Sequence, residues 1–231
     1  AWADMTKAVY DTTNRAKDLY QISKRIYVDA TIGDDVWGNG SVNAPYLTIQ
    51  AAISGTSWTN RSLLLAPWTY AWDITLISDI TSICSAWPRS IITGRVICNG
   101  SHFLKWLTMR RLWVTSSASQ IDMTTNVSTV IVDFCEVTTT TATDDIQPVV
   151  IEYSGGSSLQ LLNSDIVFTN TSTGANSAET SVIKWSWAWF TIINGVNLFI
   201  DSAQLSGNVI WLNDNTSGIF TASNMLPLMN I

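Results

Sequence analysis

The chain has 231 residues, 46% of them hydrophobic and 13% charged, with a formal net charge of −6. That balance excludes a disordered chain, which needs low hydrophobicity and high charge, and it speaks against nucleic acid, which is bound through a basic stripe that neutralises phosphate. No apolar run is long enough to span a bilayer, and the opening "AWADMTKAVYDTTNRAKDLYQ" lacks an apolar signal-peptide core, so no membrane insertion is expected.

Residues 1–25 read as helical or irregular and form a separate N-terminal segment. "RIYVDA" (Arg25–Ala30) then alternates faces as a strand does, and "TIGDDVWGNGSVNAP" is dense in Gly, Asp and Asn, the residues of turns. The stretch "NAPYLTIQAAISG" follows. Ile49, Ala52 and Ile53 fall at i, i+3 and i+4 and make one apolar helical stripe, with Thr48 placed to cap its start and Gly55 to end it. From there on, "SLLLAP", "DITLIS", "SIITGRVIC", "STVIVDFCEV", "PVVIEY", "SSLQLLNSDIVFTN" and "FTIINGVNLFIDS" are short β-branched and aromatic runs divided by Gly, Asn, Ser and Asp. That is a strand-and-turn texture, and no second amphipathic helix interrupts it.

Three of these segments resemble one another. "VDFCEVTTT" starts at Val132, "LLNSDIVFT" at Leu161 and "IINGVNLFI" at Ile192, with the third copy offset by about one residue inside its small polar step. A β-only repeat near 30 residues predicts a solenoid whose coils stack as parallel strands. The fold class expected is therefore all-β: a right-handed parallel β-helix over residues 26–231 with a short N-terminal capping helix. Such a stack presents unpaired strand edges at its first coil, an invitation to edge-to-edge association. A greasy helix laid there, with Ile49, Ala52 and Ile53 inward, would seal it.

The segment "IYVDATIGDDVWGNGSVNAPYLTIQAAI" resembles the opening of pectate-lyase-like right-handed β-helices, and "LAPWTYAWDITL" resembles the strand that follows in that group. "ADMTKAVYDTTNRAKDLYQ" is similar to a segment of bacteriophage tail and fibre proteins. The resemblance covers residues 3–80. It implies a virion part of tail-fibre or tailspike type, a homotrimer joined to an upstream tail protein through residues 1–25 and binding a host surface polysaccharide. The same architecture serves lyases and hydrolases, so a polysaccharide depolymerase is the alternative, and a bacterial cell-surface adhesin a further one. The chain starts at Ala1 and stops on "NMLPLMNI" without a visible cap, which reads as a processed or truncated product.

Candidate chemistry is sparse. Glu136 and Asp165 occupy matching places in two consecutive repeats, and matching residues of stacked coils lie roughly 5 Å apart, near the separation of a retaining glycosidase pair. The competing reading makes them outward polar residues at strand ends. Asp34–Asp35 is the one place where Ca²⁺ is conceivable, yet "DDVWGNG" lacks the spaced carboxylates of a calcium hand, and no cofactor or metal is expected. A β-helix lyase needs calcium-binding Asp and an Arg base, and only Arg110 and Arg111 are on offer, without a neighbouring Asp in sequence. His102, the single histidine, reads as a turn or surface residue. Cys84, Cys98 and Cys135 form no CxxC pair and read as small buried residues.

Twelve tryptophans are far above ordinary usage. Trp37 lies in a Gly/Asp/Asn turn, Trp68 where the resembling strand has Gly, and Trp106 just before a strand. These three read as glycines written as Trp through a reassigned UGA codon. If the tryptophans are real, Trp185, Trp187 and Trp189 alternate and would share one strand face, a row able to stack on sugar rings.

Overall fold

The structure is a computed structural model that describes residues 25–55, 59–86, 88–114, 118–124, 129–141, 149–153, 157–170, 183–185, 190–202, 210–212, 219–223 and 226–230. The expected attachment segment, apart from Arg25, lies outside the described residues.

The strands fall into three sheets. The first holds β1 (Arg25–Val28), β2 (Arg61–Leu65), β5 (Ile80–Ser85), β8 (His102–Lys105), β11 (Thr129–Asp133), β14 (Ser158–Leu162), β17 (Phe190–Asn194) and β20 (Ile219–Ser223), hydrogen-bonded in that order. The second holds β3 (Thr69–Tyr70), β6 (Ser90–Ile92), β9 (Leu107–Val114), β12 (Glu136–Thr141), β15 (Asp165–Asn170), β18 (Asn197–Ser202) and β21 (Leu226–Asn230). The third holds β4 (Ile74–Leu76), β7 (Val96–Cys98), β10 (Ile121–Met123), β13 (Ile151–Tyr153), β16 (Ile183–Trp185) and β19 (Ile210–Leu212). From β2 onward the chain visits the three sheets in turn and pairs each strand in parallel with the one a coil earlier. This is a parallel β-helix.

Register explains the core. In the first sheet Ile26, Leu63, Ile83, Leu104, Val132, Leu161 and Ile193 are successive Cα partners, and each is buried. The second sheet contributes Tyr70, Ile92, Met109, Val137, Ile166 and Leu198, also register partners and buried. A strand with one face inward alternates, as the buried–intermediate pattern of β2, β12 and β14 does. Stacking like on like builds apolar columns along the axis, each full burial of a Leu or Ile contributing roughly 1.5–3 kcal/mol.

The register corrects the repeat in one place. Leu161 pairs with Ile193, and Ile192 pairs with Gln160, so the third copy is shifted by the residue noted in its step. The spacing also changes along the rod. Leu63, Ile83 and Leu104 are about 20 residues apart, whereas Leu104, Val132, Leu161 and Ile193 are about 30 apart. The first coils are short, so the sequence repeat shows only where coil lengths become equal.

The capping helix, α1 (Ile49–Ser54), buries Ile49, Ala52 and Ile53. Thr48 Oγ1 accepts from the Ala51 amide at 3.1 Å. Gly55 ends the helix at φ −78°, so glycine is there for room: a Cβ would stand 2.6 Å from the Tyr46 hydroxyl. The lid divides its work with the preceding loop. The backbone edge of β1 is satisfied by the loop, through Tyr27 N to Gly40 O, Tyr46 N to Tyr27 O and Asp29 N to Tyr46 O, while the helix covers the apolar mouth. Arg61 on β2 is buried beneath it and donates through Nη1 to Ile53 O at 3.1 Å, closing a free carbonyl at the helix C-terminus. Its burial lowers the guanidinium pKa, with Asp79 acting against the shift.

The "GDD" loop has a structural use. Asp34 accepts from the Val36 and Trp37 amides at 2.7 and 2.9 Å, which lowers its pKa. Asp35 accepts from the Leu47 and Thr48 amides and from Thr48 Oγ1, at 2.8 to 2.9 Å, and so fastens the loop to the helix start. Of two single readings, that of His102 as a turn or surface residue is overturned, and that of the cysteines as small buried residues holds at two of three. His102 is 3% exposed, on the inner face of β8, with Nδ1 2.6 Å from Ile80 O. Cys84 is half-buried, whereas Cys98 and Cys135 are buried, and all three are free thiols.

Candidate ligand-binding face

The corner between the first and second sheets carries a run of polar groups linked from coil to coil. The turn is Trp106 alone in one coil and two residues in each of the next three (Phe134–Cys135, Asn163–Ser164, Gly195–Val196), so the end of a first-sheet strand and the start of a second-sheet strand stand close together, and each repeats one coil up. Lys105 pairs in register with Asp133, their Nζ and Oδ2 3.5 Å apart. Asn163 Nδ2, from the next coil, donates to Asp133 Oδ1 at 3.1 Å. Lys105 also lies over the rings of Trp106 and Phe134, at 4.8 and 5.8 Å from their centres, distances at which a cation is attracted by a ring face.

Two residues further on, Glu136 and Asp165 are direct Cα partners. Parallel neighbours lie about 4.8 Å apart, so the pair expected to meet does meet, on the outer face beside the inward Val137 and Ile166. Arg110 Nη2 approaches Glu136 Oε1 at 3.7 Å, and Thr138 Oγ1 donates to the same oxygen at 3.3 Å. Asp165 Oδ1 accepts from Asn197 Nδ2 at 2.8 Å.

Like charges placed directly opposite in a sheet are destabilising. The third sheet has such a pair in Asp122 and Glu152, and each carboxylate there has its own cation, Arg95 for Asp122 and Lys184 for Glu152. In the Glu136–Asp165 pair only Glu136 has a cation; among the described residues, Asp165 has an amide as its partner. One carboxylate is therefore left with oxygen lone pairs toward solvent next to a second carboxylate.

Sequence reasoning missed the Lys105–Asp133–Asn163 rung and the Asp73–Arg95–Asp122 group, where Asp73 Oδ1 accepts from the Arg95 amide at 2.8 Å. Their members are 22 to 30 residues apart, and only the coil length joins them. The Arg–Asp neighbour judged absent from the sequence is thus supplied by Arg95 and Asp122. Asp122 Oδ1 is already taken by the Thr124 amide and hydroxyl, which makes that group a structural tie. Among the described residues no group of three or more His, Cys, Asp or Glu is placed to hold a metal ion. Beside α1, a cleft of about 440 Å³ is lined by Leu47, Thr48, Gln50, Tyr70, Trp72 and Asp73; it brings no acid–base pair together.

Of the tryptophan row, β16 closes at Trp185, whose backbone pairs with Tyr153 and Leu212. Trp187 and Trp189 lie outside the described residues.

No family model matches the chain, and no curated protein matches it. Among solved structures a rhamnogalacturonan lyase is similar, with a TM-score of 0.45 and 12% sequence identity over 88% of this chain and 66% of that one. The chain thus spans about two thirds of that lyase's length. The β-helix assignment stands on the strand pairing itself, and a likeness this distant carries nothing about a reaction.

Proposed function

We propose that this chain is a stiff β-helical section of a phage tail fibre or tailspike, and that it binds a host surface polysaccharide along the corner between its first and second sheets. The observation that carries the reading is the Glu136–Asp165 pair, a like-charge neighbour pair with one cation between its two members. It costs stability and the coil does not need it, whereas carboxylates and amides that face water are good acceptors and donors for sugar hydroxyls. The rungs advance about 4.8 Å per coil, close to the length of one sugar ring, so a chain laid along the axis meets a polar group at every unit. Assembly as a homotrimer, joined to an upstream tail protein through residues 1–25 and located in the virion, is part of the proposal.

The test is binding of host polysaccharide by the purified chain and by the Glu136→Gln/Asp165→Asn double variant, followed by calorimetry. Hydrogen bonds to charged groups are worth about 1.5–3 kcal/mol each, so affinity is expected to fall roughly tenfold or more. Unchanged affinity would remove this face as the binding site. A depolymerase is the second reading, favoured by the adjacency of the same two carboxylates, near the retaining separation of about 5–5.5 Å. Release of reducing ends or unsaturated sugars by the parent chain, lost in Glu136→Gln, would establish it in place of adhesion.

A further inference from the structure

We infer that Trp72 and Trp106 are glycines in the native protein, each the product of a UGA codon decoded as glycine and transcribed here as tryptophan. The argument starts from where the indoles sit. Four tryptophans have described side chains, and all four are exposed: Trp37 at 82%, Trp68 at 54%, Trp72 at 82% and Trp106 at 48%. Trp is on average among the more buried residues. Tyr46, Tyr70, Tyr153 and Phe168 obey that rule and lie in the core, whereas Phe134 and Phe199 are 42% and 36% exposed, so exposure marks all four described tryptophans without being theirs alone.

Backbone conformation then separates two of the four. Trp72 has φ +86° and Trp106 φ +57°, the region where a bulky L residue is strained and glycine is not. Trp106 opens a row of left-handed corners that runs through four consecutive coils, with Phe134 at φ +52°, Asn163 at +46° and Gly195 at +65°. The corner imposes this conformation on whichever residue directly follows the first-sheet strand, because the chain turns there from the first sheet into the second within one or two residues. Glycine and asparagine are the residues that accept it most readily. Phe134 shows that an aromatic can be forced into the corner, and no phenylalanine codon is involved in the reassignment, so it is the natural control. Trp37 and Trp68 have ordinary φ; the glycine reading at those two gains exposure but no backbone support, and they stand outside the inference.

Without an indole at position 106 the Lys105–Asp133–Asn163 rung loses the nearer of the Trp106 and Phe134 rings under Lys105 and keeps that of Phe134. The inference is independent of the glycan proposal, whose acceptors are side chains of other residue types.

The decisive measurement is peptide mass on the protein purified from the organism that makes it. Trypsin cuts after Lys105 and Arg110, freeing a peptide that begins at position 106, and it should be lighter than the written sequence by one tryptophan side chain. The peptide between Arg61 and Arg89 should be lighter by at least one, with the fragment spectrum placing glycine at 72. Tryptophan at either position overturns the inference. Recombinant variants give a second readout. Trp72→Gly and Trp106→Gly should each raise the folded-to-unfolded ratio by roughly 5–30-fold, the worth of relieving a left-handed L residue, while Trp37→Gly should not. Failure of both substitutions to raise it also overturns the inference.

Discussion

His102 is the single imidazole of the chain, and it points into the core with Nε2 buried and without a hydrogen-bond partner in the structure. Burial lowers its pKa below the ordinary 6.5, against the opposing effect of the Ile80 and Asn99 backbone. The sign follows from proton counting. Below pH 6.5 the unfolded chain takes up a proton that the folded chain refuses, so stability falls as pH drops through 6.5 toward the folded value and is flat above it. Urea midpoints at pH 7.5 and 5.5 should differ for the parent chain, and the difference should shrink in His102→Leu. An equal acid loss in both would mean that the slope comes from the carboxylates. A second residue-scale expectation concerns Tyr70, whose hydroxyl lies 2.9 Å from Val28 O and 3.0 Å from Ala66 O, with its pKa pushed up to about 12 by burial. Tyr70→Phe leaves those acceptors without the donor and should cost about 1–3 kcal/mol by denaturant titration.

At the scale of elements, the lid is the part with the clearest division of labour. Six residues are too few to hold a helix by propensity; its packing and its ends must do so. Thr48→Ala removes the N-cap acceptor and should cost about 1 kcal/mol. Arg61→Ala removes the donor to the helix C-terminus and should cost about 1.5–3 kcal/mol. Ile53→Asp would place a carboxylate against the first coil and should expose the open end, read as self-association in sedimentation. The stripe of Ile49, Ala52 and Ile53 was legible because period and caps are local. Arg61 was not, since nothing in "NRSLLLAP" distinguishes an arginine under a helix from one in water. The "GDD" carboxylates were visible as a motif, but their use as backbone acceptors for the Thr48 turn depends on a contact across 12 and 13 residues.

For the whole molecule, a stacked solenoid is held by contacts between neighbouring coils rather than by one central core. Leu161→Ala, in the middle of the first-sheet column, should cost about 2–5 kcal/mol, and it should split the unfolding transition into two steps where a globular domain would merely lose midpoint. A single shifted transition would show that cooperativity runs the length of the rod.

What the amino-acid order determined unaided was the class of architecture. Alternation, strand-length runs and a recurring small step are properties of adjacent residues, and they suffice to predict stacked parallel coils with a helical lid. The pairing of Glu136 with Asp165 was also within reach, because two coils of equal length carry a residue to the same place. Tertiary structure alone decided the Lys105–Asp133–Asn163 rung, the inward His102 and the left-handed corner under Trp106. Each depends on how many residues a particular coil consumes before it returns, and that number follows from loop closure and packing across the rod, not from any local preference along the chain.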